Sequence, residues 1–494
     1  MGGGAAGVST FIAAVRRCAA KTIYVIDPRP IGPGFAFANT DDDILCNTSV
    51  DIMSVVAGNH WDFLHFLNAK GYAATLDSYV PRRWAAAYFR ERFNQYCAVA
   101  NQRGIDVICL PYRFRSLRIE GYRCYTLRFC EAAAHASLDV SDVIFCTGFG
   151  APRVPDELKR YRSLPTFIEC PYPEAEMLAK VSPRSKVLVI GSKLSATDSA
   201  ILLCRERHRV TMASPSGELL SVRSRFIRDR RFVLDLGRLG NVMSRCSRET
   251  SGPLTPAQHR IYLRYIADTL SRYSTVPWRT QFSCAERCDD RLREEIAIAE
   301  QGRNTWQDII VSFVDAINAT YTKYAQTFTD LHPEFRRTIF RYLTSIALPN
   351  ARKLLQLIDK GSVSIKRGMP ITVAPGDELG QPWLVDWGEG PETFDAIISA
   401  AGFHLPHFTF DGDGEIKLDI DGQCGPETLG VSSDLAAEHP RLMGKESIWF
   451  VGPPAHSRVP IPNALSVVAP SADRVVSNLV ALIDSETMQV TMCR

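Results

Sequence analysis

Apolar residues along this chain gather in short runs of β type, separated by longer stretches of helical type. Five runs stand out: Lys21–Ile26, Ser141–Phe145, Ser185–Ile190, Phe394–Ser399 and Ser447–Val451. Each is rich in β-branched or aromatic residues and is bounded by turn formers, so each predicts a buried strand. Val8–Val15 and Thr197–Leu203 predict helices that each follow a glycine-bearing turn. From about Glu218 to Lys360 the pattern is mostly helical. Thr255-Pro256-Ala257-Gln258 opens one helix there, with Thr as cap and Pro at the first position. Asp330-Leu331-His332-Pro333-Glu334 opens another, predicted to run to Leu348 before Pro349. No repeat or low-complexity linker interrupts the chain, so its domains are expected to interleave.

Composition narrows the class. A length of 494 residues allows two to four domains with full cores. Hydrophobic content of 46% and charged content of 22% are ordinary for a globular chain. A net charge of +3 argues against a nucleic-acid partner. No run of about 18 uninterrupted apolar residues predicts a membrane span, and no signal peptide is read at the start. The 14 cysteines are scattered, many inside apolar runs such as those of Cys109, Cys146 and Cys204. They read as small buried hydrophobes in a reducing, cytoplasmic setting. Cys284 and Cys288 are the only close pair, at a spacing that would share a helix face, and no metal is expected.

Chemistry is concentrated in the turns. Gly2, Gly4 and Gly7 form G-x-G-x-x-G ahead of a helix, the arrangement that brings a pyrophosphate to helix N-terminal amides. Asp27 closes the strand Lys21–Ile26 about twenty residues later, where an acid can hold a ribose diol. No strand precedes Gly2. A start assigned too late is the favoured explanation, with about five apolar residues expected in frame upstream, and dinucleotide binding is expected to be weak or absent without them. A second βαβ start follows at Ser185–Ala213, with the turn Gly191-Ser192-Lys193-Leu194-Ser195-Ala196. Lys193 occupies the position where glycine is usual. After the next strand, Ser214-Pro215-Ser216-Gly217 carries neither an acid for a diol nor an adjacent arginine for a 2′-phosphate. Arg223 and Arg225 are the nearby substitutes.

Three strand ends complete the pattern: Thr147-Gly148, Ala400-Ala401-Gly402 and Val451-Gly452. Together with Gly32-Pro33-Gly34-Phe35-Ala36-Phe37, Ile44–Thr48, Met53-Ser54, Trp61–Leu67 and Pro81-Arg82-Arg83, they resemble the FAD–NAD(P)-binding oxidoreductase family of the YdhS type. The tail Asn463–Ala469 resembles a segment that packs by the flavin in class B flavin monooxygenases and amino-acid N-hydroxylases.

The resemblance implies an α/β fold with two Rossmann-like dinucleotide-binding domains, for FAD and for NADPH or NADH, and a mostly helical insertion. Residues 1–165 and 373–494 are expected to form the FAD domain, 180–220 and 350–372 the NAD(P) domain, and 221–349 the substrate-side insertion. Cofactor contacts are expected from Gly2, Gly4, Ala5, Ala6, Gly7, Asp27, Pro28, Gly34, Asn47, Met53, Arg82, Thr147, Gly148, Gly191, Lys193, Ser195, Ala196, Gly402, Gly452 and Leu465. Asn47, Asn463 and His456 are the candidate catalytic groups, with His60 and His404 as further polar groups near the flavin. A carboxylate clamp is expected from among Arg223, Arg225, Arg228, Arg230, Arg231, Arg336, Arg337 and Arg341.

No nucleophile–base or paired-carboxylate motif stands out, as expected where cofactors carry the chemistry. A reduced nicotinamide would reduce the flavin, and O₂ would then be used to hydroxylate a small amino-acid-like substrate. The alternatives are an oxidoreductase without oxygenase activity and a non-catalytic protein that keeps the fold. A homo-oligomer is allowed.

Overall fold

The computed structural model describes the chain apart from residues 131–136, 229–231, 246–254, 325–332, 377–380, 443–445 and 493–494, and apart from the side chains of 320–324, 333–336 and 486–492. Parallel strand pairing builds two units. In the first unit Thr22–Ile26 pairs with Asp106–Leu110, and Val143–Phe145 pairs with Ile448–Phe450. Met1 and Gly2 lie between these two pairs. The Gly2 N–H donates to Ile26 O at 2.8 Å, and Met1 O accepts from the Cys146 N–H at 2.7 Å. The position that the glycine turn implies for a central strand is therefore held by the first two residues.

The second sheet has five parallel strands in the order Val363–Arg367, Arg209–Ser214, Lys186–Ile190, Ala396–Ser399 and Phe167–Ile168. Its central strand, Lys186–Ile190, is almost wholly buried, as strands covered on both faces require. Ala396–Ser399 bonds directly to that strand, so this stretch belongs to the second unit. The boundary expected at 373 is corrected accordingly: residues up to about 402 stay with the second sheet, and the return to the first unit comes after them.

A five-stranded antiparallel sheet formed from Arg113–Gly121, Cys124–Cys130, Ser137–Val140, His407–Phe410 and Ile416–Asp419 adjoins the first unit. Nothing in the strand periodicity read from the sequence anticipated it.

The insertion is helical as expected. Thr255 caps the helix Pro256–Tyr273 in a capping box with Gln258. The helix opened near Pro333 ends at Leu343 rather than Leu348. Ile346–Ala347 forms a short strand, and Pro349 sits in the first turn of the next helix, Leu348–Asp359, where its missing N–H costs nothing. The opening residues Asp330, Leu331 and His332 lie outside the described residues. Cys284 precedes the helix that begins at Cys288, so the two do not share a helix face. No metal-binding cluster occurs among the described residues.

The last helix contains a stretch, Leu465–Ser485, long and apolar enough to cross a membrane, with a mean hydropathy of 1.3. Interspersed polar residues hid it from a search for unbroken apolar runs. Its Ala472, Val475 and Val476 are fully buried, and it packs along the first helix.

Candidate nucleotide sites

The first glycine turn is closed by backbone contacts that no side chain would permit. A Cβ on Gly7 would stand 1.9 Å from Gly2 O, and one on Gly2, whose φ is +97°, would stand 2.3 Å from Cys146 O. Gly4 caps the helix Ala5–Arg17 from extended backbone without a side-chain bond, so the amides after it have no internal partner. Gly34 lies against this turn: a Cβ there would stand 2.9 Å from the Gly4 Cα. Asp27 is buried. Its Oδ2 accepts from the Gly3 N–H at 2.8 Å and its Oδ1 from the Arg29 N–H at 2.9 Å. The Arg29 Nε also donates to Oδ1, at 3.4 Å; of the roughly four acceptor positions of a carboxylate, about one remains for a ribose hydroxyl.

Thr147 and Gly148 follow Cys146 beside Gly2, and the Thr147 hydroxyl oxygen is buried with no hydrogen-bond partner among the described residues. A Cβ on Gly452 would stand 3.3 Å from the Ala6 Cβ. Gly2, Gly4, Ala5, Ala6, Gly7, Asp27, Gly34, Thr147, Gly148 and Gly452 thus converge on one place. A narrow glycine cradle, free helix amides, a buried acid and an unpartnered hydroxyl suit an adenine dinucleotide.

The other expected first-site residues are spread out. Pro28 is exposed. Met53 is buried in the core and accepts from the Thr48 hydroxyl at 2.8 Å. Leu465 is buried at the start of the last helix, whereas Asn463 is exposed two residues earlier. Asn47 is half-buried, and its backbone oxygen accepts from Arg223. His456 lies beside Pro453, with Nδ1 3.0 Å from that residue's oxygen and its ring 4.7 Å from that of His407. Burial and the neighbouring His407 push its pKa down to about 4, so the ring is neutral near pH 7. His404 bonds through its backbone to Ala151 and is displaced downward, chiefly by burial. His60 stacks near Trp61.

The second turn faces a cleft of about 1850 Å³. Gly191, Lys193 and Ser195 line it, together with Gly402 and Phe403 at the end of the neighbouring strand. Gly191 has φ +139°, and a Cβ there would meet Ala400 O at 2.5 Å. Lys193 takes the N-cap position of the helix Leu194–Arg205 and is exposed to the cleft. Ala196 is buried behind it. The cleft opens at the carboxyl ends of the strands where the order reverses, which is where open α/β sheets bind ligands. An extended anionic nucleotide fits this position. The cleft's far wall comes from the helical insertion, through Arg291, Arg337, Phe340 and Arg341.

Arg82 connects the two sites. Its Nη2 lies 3.0 Å from Asp198 Oδ2, on the helix that follows the second turn, and its Nε donates to Leu45 O. The Tyr172 hydroxyl donates to the same Asp198 oxygen at 2.7 Å. Burial pushes the Asp198 carboxyl up, while Arg82 and Tyr172 pull it back. Arg82, a residue expected at the cofactor, fastens one nucleotide unit to the other through these bonds.

The arginines expected as clamps separate similarly. Arg223 is buried, donating to the backbone oxygens of Asn47 and Leu343. Arg225 pairs with Asp308 through two contacts of 2.6 Å, Arg228 pairs with Asp315, and Arg341 pairs with Glu295. Arg230 and Arg231, and the Arg336 side chain, lie outside the described residues. The sequence reading also missed an aromatic cluster at the cleft mouth. Phe403 contacts both Phe35 and Phe149, with ring centroids 5.5 and 6.1 Å apart. Each follows a positive-φ glycine, Gly34, Gly148 or Gly402, and that shared Gly-Phe step was the available signal.

Residues 1–150 match the family described as FAD-NAD(P)-binding. Comparison with curated proteins gave no match. Among solved structures, the fold is similar to ornithine hydroxylase from Pseudomonas aeruginosa, at 13% identity over 97% of each chain with a TM-score of 0.50. It is similar also to L-lysine 6-monooxygenase from Pseudomonas syringae, at 14% identity over 97% of each chain with a TM-score of 0.50. At such identities the likeness is one of fold.

Proposed function

We propose that this chain, an FAD-NAD(P)-binding flavoprotein through its first 150 residues, is an NAD(P)H-dependent FAD monooxygenase that N-hydroxylates a small amino-acid-like molecule. The observation that carries the proposal is the pair of glycine turns on parallel sheets, locked together by Arg82 and Asp198, with a large cleft at the second turn walled by the insertion. Similarity of fold to enzymes that act on ornithine and lysine supports the substrate class.

Bound FAD would accept a hydride and then use O₂, which is chemistry the side chains do not offer. The chain contributes binding and orientation. Amides after Gly4 take the first pyrophosphate, and Asp27 takes a ribose hydroxyl. The turn at Gly191, with Lys193, takes the second nucleotide. Phe35, Phe149 and Phe403 place apolar surface where the units meet, with Phe35 and Phe149 exposed. Neutral His456 offers a ring nitrogen without a charge, and Asn47 is held in place through its carbonyl by Arg223. The cleft walled by the insertion, about 1850 Å³, has room for a small amine beside a nucleotide.

The test is the cofactor content of the purified chain. A yellow protein holding about one FAD per chain, reducible by NADH or NADPH, is the expected result. A colourless protein that takes up no FAD overturns the proposal.

A further inference from the structure

We infer that Arg367, seated by the turn Ser214–Gly217, is the 2′-phosphate reader of the cleft, so that the chain selects the phosphorylated nicotinamide nucleotide. This rests on the reading of the cleft as a nicotinamide-nucleotide site. A dinucleotide laid along the strand ends from the Gly191 turn puts its adenosine ribose over the end of the next strand, Arg209–Ser214. A diol reader there is an acid, and Ser214 stands in its place.

The cation comes from the neighbouring strand, not from the same loop. Arg367 is in register with Ser214, and the Gly368 N–H donates to Ser214 O at 2.8 Å. The turn after Ser214 folds back on Arg367. Gly217 has φ +62°, and a Cβ there would meet the Arg367 Cβ at 2.8 Å, so only glycine lets the turn close on this arginine. The Ser214 hydroxyl accepts from the Gly217 N–H at 3.1 Å and lies 2.8 Å from that of Ser192, tying the seat to the phosphate turn.

Arg367 is exposed to the cleft and forms no ion pair with any described residue, whereas its neighbour Lys366 is engaged by Glu392 at 2.9 Å. The arginines nearer in sequence are committed elsewhere: Arg223 is buried against backbone oxygens, and Arg225 is bound to Asp308. A planar guanidinium without a carboxylate, beside two serines at the ribose position, has the chemistry of a phosphate seat.

Isothermal titration of the FAD-loaded chain with 2′,5′-ADP and with 5′-ADP tests this without reference to turnover. The wild type should bind 2′,5′-ADP at least tenfold more tightly. R367Q should weaken 2′,5′-ADP about 10- to 100-fold, the scale of a hydrogen bond to a charged group, and leave 5′-ADP within twofold. Because Arg367 is exposed, the melting temperature should not move, which separates lost recognition from lost folding. Equal binding of the two nucleotides by the wild type, or an unchanged ratio in R367Q, overturns the assignment while leaving the cleft a nucleotide site. Binding of neither nucleotide overturns the nucleotide reading, and this assignment with it.

Discussion

Arg82 and Asp198 are 116 positions apart in sequence, and their side chains meet at 3.0 Å inside the protein. One begins the long helix of the first nucleotide unit, the other lies on the helix after the second glycine turn. Arg82→Ala would leave a buried carboxylate held by the Tyr172 hydroxyl. Breaking a buried pair from one side costs about 3–5 kcal/mol, whereas replacing both partners by apolar groups is often near neutral. R82A should therefore lower unfolding stability by that amount in urea titration, and R82M/D198L should recover most of the loss. Equal losses in both variants would show that the pair does not act as a unit.

Gly7→Ala tests the first cradle. The new methyl would stand 1.9 Å from Gly2 O, and the atom in its way is backbone, so the turn itself must move. FAD affinity, read from flavin fluorescence on dilution, should fall at least tenfold. Retained affinity would place the dinucleotide elsewhere.

Lys193→Glu tests the second turn. An anion at the N-terminus of the helix Leu194–Arg205 would oppose the phosphates that this end attracts. The KM for the nicotinamide nucleotide should rise about tenfold with kcat nearly unchanged. An unchanged KM removes Lys193 from the phosphate contact.

His456 gives the stability a pH dependence of known sign. Its folded pKa is about 4 against 6.5 unfolded, so between these values the unfolded chain holds more protons. Its contribution is complete above about pH 6.5 and is lost as the pH falls toward 4, a change of up to about 3 kcal/mol. The melting temperature should drop between pH 7.5 and pH 5, and H456Q should flatten that drop. A wild type and variant that fall in parallel would assign the dependence to other groups.

Much of this architecture was legible because the signals are local. A glycine turn, the helix after it and the strand beside it are contiguous, so the helix–strand unit after Gly2, Asp27 and the βαβ start at Ser185–Ala213 could be found from spacing alone. Pairing across long separations was not legible. The strand Ala396–Ser399 reads as one more apolar run, and only its bonds to Lys186–Ile190 place it in the second sheet. Arg82 carried a family-like motif, yet its partner is an aspartate inside a helix pattern, with nothing in sequence to join them. Arg223 and Arg225 were nearest to Ser214 along the chain, but Arg367 is nearest across the sheet, because neighbouring parallel strands set that contact. Asn463 sits in a matched segment and is nonetheless exposed: a motif fixes the path of the chain before it fixes a side chain's surroundings.

The central claim is hydroxylation of an amine at the expense of a reduced nicotinamide nucleotide. The direct measurement is product balance: the FAD-loaded chain, O₂ and NADPH with ornithine, lysine and related diamines, with hydroxylamine, hydrogen peroxide and consumed nucleotide quantified together. The account predicts hydroxylamine formed in near-equal amount to nucleotide consumed for at least one amine. Nucleotide consumption matched entirely by hydrogen peroxide across all the amines would contradict it.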